Sequence, residues 1–234
     1  MNRIDYYSKQ DTYIRTVDDR IGKIVEIVNK LNPEAVLDIG CGDGFLIENL
    51  KKLSHKTKYY GLEISEKSVK KALAKKITCK AGNVEDKIHY REKFDLIIAG
   101  EVIEHLVDPD SALKNIYKSL NKNGYLIVST PNLAAWYNRI LLLLGIQPIF
   151  TETSLHENLG RKFKILGQGR YTEGHLKIFT KNSLVEILQK ENFKVIKIQG
   201  ASFLPGRLRN IEKFFNKFPS LSSEVIVVAQ KYEK

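Results

Sequence analysis

The chain has 234 residues and a formal net charge of +11, from 38 Lys and Arg against 27 Asp and Glu. That length can bury a full hydrophobic core, and no Ser/Gly linker, low-complexity tract or internal repeat divides it, so a single domain over 1–234 is expected. The two cysteines, Cys41 and Cys79, lack the company a zinc site needs and fit a reduced, cytoplasmic chain; residues 1–10 lack the apolar centre of a signal peptide, and no apolar run is long enough to span a bilayer.

In chain order, residues 11–31 set Ile14, Val17, Ile21, Ile24, Val25 and Val28 at helical spacing. This predicts a helical cap over 1–32, packed on a sheet edge or over a ligand. Residues 35–39 read as an apolar strand running into Gly40, Gly42 and Gly44, with Cys41 as a small filler and a helix over 44–53. Glycines there permit positive φ and let a ligand lie against bare backbone, and the helix start offers free N–H groups. The Gly-x-Gly-x-Gly spacing departs from the dinucleotide fingerprint. Asp38 would repel a pyrophosphate but attract the ammonium of an amino-acid-bearing nucleoside. The ligand this predicts is S-adenosylmethionine (SAM).

Residues 58–64 form a second strand that ends in Glu63 and Ile64, where a carboxylate can take both hydroxyls of a ribose. A helix over 65–75 follows, then a short third strand over 77–80 leading into Gly82-Asn83-Val84-Glu85-Asp86. Residues 94–99 are a fourth strand, apolar throughout its centre as a strand buried on both faces should be, and Gly100 closes it.

This succession resembles the class I SAM-dependent methyltransferases over about residues 33–130. The resemblance implies an α/β fold: a Rossmann-like, seven-stranded, mainly parallel sheet with helices on both faces and an antiparallel last strand. It also implies a cofactor site. Asp38, Gly40, Cys41, Gly42 and Gly44 would meet the amino-acid end, Glu63 and Ile64 the ribose, Asn83 and Val84 the adenine, with Gly100 close by. Asn83 departs from the aspartate common in the family, so a charge-assisted bond to the adenine amino group is lost.

Glu101-Val102-Ile103-Glu104-His105 follows the fourth strand, at the edge where open α/β sheets bind ligands. On a helical turn, positions i, i+3 and i+4 share a face, so Glu101, Glu104 and His105 are expected to point together beside the methyl group. A further histidine, His175, follows Gly174. Glu-x-x-Glu-His with a distant Gly-His resembles the ubiquinone-pathway O-methyltransferases and the small-RNA 3′-terminal 2′-O-methyltransferases. The RNA enzymes imply a divalent ion held by Glu101, Glu104, His105 and His175. Such mixed donors suit Mg²⁺, Mn²⁺ or Fe²⁺. Two other readings stay open: His105 as a metal-free general base, or Glu104 and His105 as mere loop stabilisers. His55, His89 and His156 read as surface or loop residues.

Pro109 opens a helix over 109–121, and residues 124–130 form the fifth strand. Residues 131–179 are a long insertion, expected as a lid or substrate element, with a helix over 134–144 and a basic, glycine-bearing stretch over 161–170. A helix packed plainly on the core is the competing reading. A helix capped by Thr180 and strands over 193–199 and 224–230 complete the pattern. Between those strands, Arg207, Arg209, Lys213 and Lys217 interleave with Leu208, Ile211, Phe214, Phe215 and Phe218. This segment suits an anionic membrane surface, nucleic-acid phosphates, or a packed helix with its lysines in water. The function expected is SAM-dependent methylation of a hydroxyl on a small or lipid-like acceptor. RNA 2′-O-methylation and a non-catalytic SAM-binding partner subunit are the alternatives.

Overall fold

The computed structural model describes residues 17–54, 56–154, 156–160, 172–204 and 208–233. The apolar runs become the strands β1 (Ala35–Ile39), β2 (Lys58–Glu63), β3 (Thr78–Ala81), β4 (Phe94–Gly100), β5 (Leu120–Pro131), β6 (Phe193–Ala201) and β7 (Glu224–Lys231). They form one sheet in the order β3-β2-β1-β4-β5-β7-β6. The pairs β2–β3, β1–β2, β1–β4 and β4–β5 are parallel, whereas β7 runs antiparallel to both β5 and β6. The order reverses at β1 and β4, which makes the carboxyl ends of those two strands the place for a ligand.

Alternation along β4 shows why the sheet needs cover on both sides. Ile97 and Ala99 face a core layer completed by Ala112, Leu113 and Ile116 of α4 (Pro109–Ser119) and Leu184 and Leu188 of α6 (Lys181–Lys190). Leu96 and Ile98 face the other layer. There Ile24, Ile27 and Val28 of α1 (Asp19–Leu31) pack with Ile47 and Leu50 of α2 (Phe45–Lys51) and Val69 and Ala72 of α3 (Glu66–Ala74). Each buried leucine or isoleucine contributes roughly 1.5–3 kcal/mol.

The helix expected over 11–31 begins at Asp19, where the Asp18 carboxylate caps it by accepting from Ile21 N at 2.7 Å; residues 11–16 lie outside the described residues. The root of the expected insertion is pinned. β5 runs on to Pro131, Asn132 bridges to Phe179, and Leu133 N donates to Phe179 O at 2.9 Å. Beyond it, α5 (Trp136–Leu143) and the loop after it build a third, small core from Ala135, Tyr137, Ile149, Phe150 and Leu204. The basic stretch over 161–170 lies outside the described residues. Of the segment over 207–218, α7 (Arg209–Phe215) is a helix. Among the described residues, no helix is long and apolar enough to cross a membrane.

Candidate active site

The turn after β1 carries Gly40, Gly42 and Gly44, all at positive φ (68°, 56° and 88°). Space binds these positions as tightly as backbone conformation does. A Cβ on Gly40 would lie 2.7 Å from Val102 Cγ2, and one on Gly44 would lie 2.1 Å from Ile77 Cδ1. The first of these contacts also presses the glycine turn directly against the segment after β4. The two motifs, 60 residues apart in sequence, are therefore neighbours.

Glu63 is buried at the end of β2, and its carboxylate accepts from Gly42 N at 2.9 Å and Ser65 N at 2.8 Å. These bonds fix the carboxylate against the glycine turn, and its remaining lone pairs are the acceptors a diol needs. Asp38 and Val84 are buried, and Ile64 follows Glu63 at the same sheet edge. Asn83 is turned otherwise than expected. Its Oδ1 accepts from Glu85 N at 3.0 Å and its Nδ2 donates to Glu85 Oε2 at 3.3 Å, so the side chain closes its own turn. Cys41 fills space as expected, and it does so jointly with Cys79, the two Sγ atoms being 3.5 Å apart. Gly61 of β2 must be glycine to admit them, since a Cβ there would come within 2.5 Å of Cys41 Sγ. The mutual hydrogen bond and burial push the Cys41 thiol up, while the same bond lowers Cys79.

The turn after β4 corrects the expected geometry. Only Ile103–His105 are helical, as a single 3₁₀ turn, and Glu101 sits in the left-handed region at φ 56°. Glu101 is thus outside the turn that was to align it with Glu104 and His105. Its carboxylate accepts from the Ser129 hydroxyl at 3.1 Å and faces Arg20 at 3.9 Å. The other three expected ligands do converge. Atoms of Glu104, His105 and His175 all lie within 4.8 Å of one another, and the two imidazole rings are 4.8 Å apart. The gap in sequence is closed by the backbone, because Glu104 O accepts from Leu176 N (2.8 Å) and Lys177 N (3.0 Å).

Both imidazoles are oriented by carbonyls. His105 Nδ1 is 3.1 Å from Gly174 O, and His175 Nδ1 is 3.1 Å from Phe150 O. A carbonyl only accepts, so each Nδ1 carries a hydrogen toward it, while His175 Nε2 lies 3.6 Å from a Glu173 carboxylate oxygen. Glu104 is fully buried, and neither of its carboxyl oxygens has a hydrogen-bond partner; the Thr130 hydroxyl and the Glu101 carboxyl are its polar neighbours. Burial, then repulsion from Glu101, pushes the Glu104 carboxyl well above the ordinary range.

Three further residues of the site carry no motif. Arg20 of α1 lies half-buried between Glu101 and Glu224, its Nε 3.9 Å and 3.6 Å from their carboxylates, with Asp18 3.7 Å from its guanidinium. Burial disfavours its charge, but Glu101, Glu224 and Asp18 outweigh that and hold its pKa up. Gly100 leaves room for it, since a Cβ there would stand 3.1 Å from the guanidinium. Glu224, at the start of β7, is raised well above the carboxylate range by burial and by Glu101. The third is Glu152 of the insertion, which accepts from the backbone N–H groups of Glu173 (2.5 Å), Gly174 (2.8 Å) and His175 (3.0 Å). The only sequence signal for these three was charge at positions otherwise destined for burial, and it names no partner.

Residues 11–198 match the family described as methyltransferase domain. The chain belongs to that family. Among curated relatives, this methyltransferase-domain chain is 34% identical over 131 residues to the ubiquinone biosynthesis O-methyltransferase of Bradyrhizobium diazoefficiens, covering 53% of this chain and 49% of the relative. It is 29% identical over 174 residues to that of Pelagibacter ubique, covering 72% and 65%. The chain therefore spans about half to two thirds of the length of these relatives. Solved structures share the fold: a SAM-dependent methyltransferase from Methanosarcina mazei has a TM-score of 0.64 at 19% identity, over 89% of this chain and 98% of that one. The N-methyltransferase NodS from Bradyrhizobium japonicum, in complex with S-adenosyl-L-homocysteine, has a TM-score of 0.61 at 14% identity, over 98% and 97%.

Proposed function

We propose that this chain transfers the methyl group of SAM to a hydroxyl of a small or lipid-like acceptor, at the junction of the glycine turn with Glu104, His105 and His175. One observation supports the reading: Val102, which leads into the turn carrying Glu104 and His105, packs against Gly40 of the glycine turn. In this reading Asp38 and the turn from Gly40 to Gly44 hold the amino-acid end of SAM, and Glu63 holds the ribose diol. Ile64 follows at the ribose, and Asn83 and Val84 border the adenine, with Asn83 contributing backbone and shape because its side chain is engaged with Glu85. The curated relatives named for ubiquinone biosynthesis support an oxygen acceptor on a lipid-like molecule.

Methyl transfer from an activated sulfonium needs mainly a nucleophile held in line. A hydroxyl must also lose its proton, and in this reading His105, oriented by the contact of its Nδ1 with Gly174 O, takes it. Glu104, His105 and His175 also suit Mg²⁺ or Mn²⁺, since two buried carboxyl oxygens without partners are what a cation would compensate. Glu101, next to Glu104, adds negative charge without joining the cluster. A bound ion would supply a lower pKa to an acceptor oxygen. The deciding measurement is release of S-adenosyl-L-homocysteine over catechols, polyprenylated phenols and an RNA 3′ end, with and without chelator. Turnover on a phenol or catechol, lost on chelation and restored by Mn²⁺, is expected. Turnover that survives thorough chelation leaves His105 as the base without an ion, and turnover on RNA alone overturns the lipid-like acceptor.

A further inference from the structure

The small core of the insertion supports a surface that a protein destined only for water has no reason to keep. On α5, Tyr137 and Asn138 turn inward, whereas Ile140, Leu142, Leu143 and Leu144 stand exposed, Leu143 by 87%. On α7, Phe215 turns inward and stacks on Trp136 at 5.1 Å. On its opposite side Ile211 and Phe214, with Phe218 in the turn just beyond the helix, are 44%, 57% and 49% exposed. That short helix is apolar on two faces, and only one of them is covered. The two exposed stripes are parts of one structure, because Trp136 N donates to Leu221 O and the Arg139 guanidinium donates to Ser220 O. Contiguous exposed apolar surface of this kind marks a contact site.

Charge decides which contact. Arg139, Lys213 and Lys217 are exposed among these side chains. Residues 133–150 contain no Asp or Glu, and the single acidic residue of 199–221, Glu212, is buried. An apolar surface whose two segments, 133–150 and 208–221, carry exposed cations and no exposed carboxylate complements an anionic lipid headgroup layer over acyl chains. We infer that this face, formed by residues 139–144 and 211–218, seats the protein on an anionic membrane surface, with the leucines and phenylalanines inserted and the cations at headgroup level.

The same face leads to the site. Phe203, 41% exposed, meets Phe150 edge-on at 4.8 Å, and Phe150 meets His175 at 5.7 Å. Two aromatic contacts separate the surface from the imidazole cluster. The inference deepens the proposed function, since an acceptor dissolved in the bilayer would reach the site without crossing water. Vesicle binding, however, requires no methyl transfer, so the two readings fail separately.

The test is co-sedimentation with vesicles of phosphatidylcholine alone and with added phosphatidylglycerol. Wild-type protein is expected to bind the anionic vesicles at least tenfold more tightly and to be released by salt, since exposed charges are screened beyond a Debye length. Lys213→Gln and Lys217→Gln should each weaken binding about fivefold, the equivalent of about 1 kcal/mol per surface cation. A Leu143→Asn/Leu144→Asn/Phe214→Asn variant should abolish insertion while keeping the wild-type thermal midpoint and SAM affinity, because these side chains are exposed. Wild type that fails to bind either vesicle, or a triple variant that binds as tightly as wild type, overturns the inference. Dimerisation lost in the triple variant, without vesicle binding, assigns the face to a second copy and also overturns it.

Discussion

Glu63 and Gly40 show how single residues set the cofactor turn. Glu63 is held by two backbone N–H groups, so its replacement by Gln keeps the shape and removes the charge that strengthens bonds to a diol. Glu63→Gln should weaken SAM binding tenfold or more by calorimetry and cost about 1–3 kcal/mol of stability, since its NH2 leaves one of the two backbone donors unpaired; unchanged affinity sinks the ribose assignment. Gly40→Ala should cost about 1–3 kcal/mol in urea unfolding, from a left-handed φ and a Cβ against Val102. Val102→Ala in the same chain should recover only the steric share. Glycine spacing and the carboxylate at the second strand end made these residues legible in the sequence. Arg20, Glu224 and Glu152 were not, because a buried charge is explained only by partners that folding brings from far along the chain. Asn83 misled for the opposite reason: its partner, Glu85, is two residues away, and a local side-chain turn leaves no trace in spacing.

At the scale of elements, the strands were legible wherever an apolar run was buried on both faces, as in β4. The turn after β4 was not. Its pattern fits a full helical turn, but Glu101 leaves the right-handed region and only three residues coil, so Glu101 joins Arg20 and Ser129 instead of His105. Likewise the helix expected over 134–144 forms as α5, but the third core uses only its inward side while the leucines at its end stay in the open. The segment that carries His175 depends on Glu152, which gathers three successive N–H groups. Glu152→Ala should loosen residues 173–175, seen as faster amide exchange there. It should also cut turnover roughly 10–100-fold, the usual cost of removing a group that orients ligands. Glu152→Gln, which keeps one acceptor oxygen, should recover part of it. Unchanged exchange would mean that the Leu176 and Lys177 bonds to Glu104 suffice alone.

For the molecule as a whole, buried carboxyls set the direction in which pH acts. Burial raises Glu212 to about 7, against the lowering effect of its bonds from the Leu204 and Phe203 backbone; Asp19 raises it further and Lys23 lowers it. The folded state thus holds a proton that the unfolded chain releases above about pH 4.3. The unfolded state binds fewer protons through this window, so the contribution of Glu212 to stability is full below that pH and declines as pH rises toward 7. The thermal midpoint should fall between pH 5 and 8, and Glu212→Gln should flatten that fall; an unaltered slope assigns it to other groups. A different consequence lies in the strand order. The last strand in chain order, β7, is the one that sits between β5 and β6. As the chain leaves the ribosome, β6 has no neighbour to pair with, and β5 keeps a bare edge, until residues 224–231 emerge. A nascent chain stalled at residue 223 carries six strands and two unjoined edges, the kind of surface that invites pairing with other chains. Closure of this sheet thus waits on residues 224–231, and the interval before they emerge is when the chain most needs shelter from its neighbours.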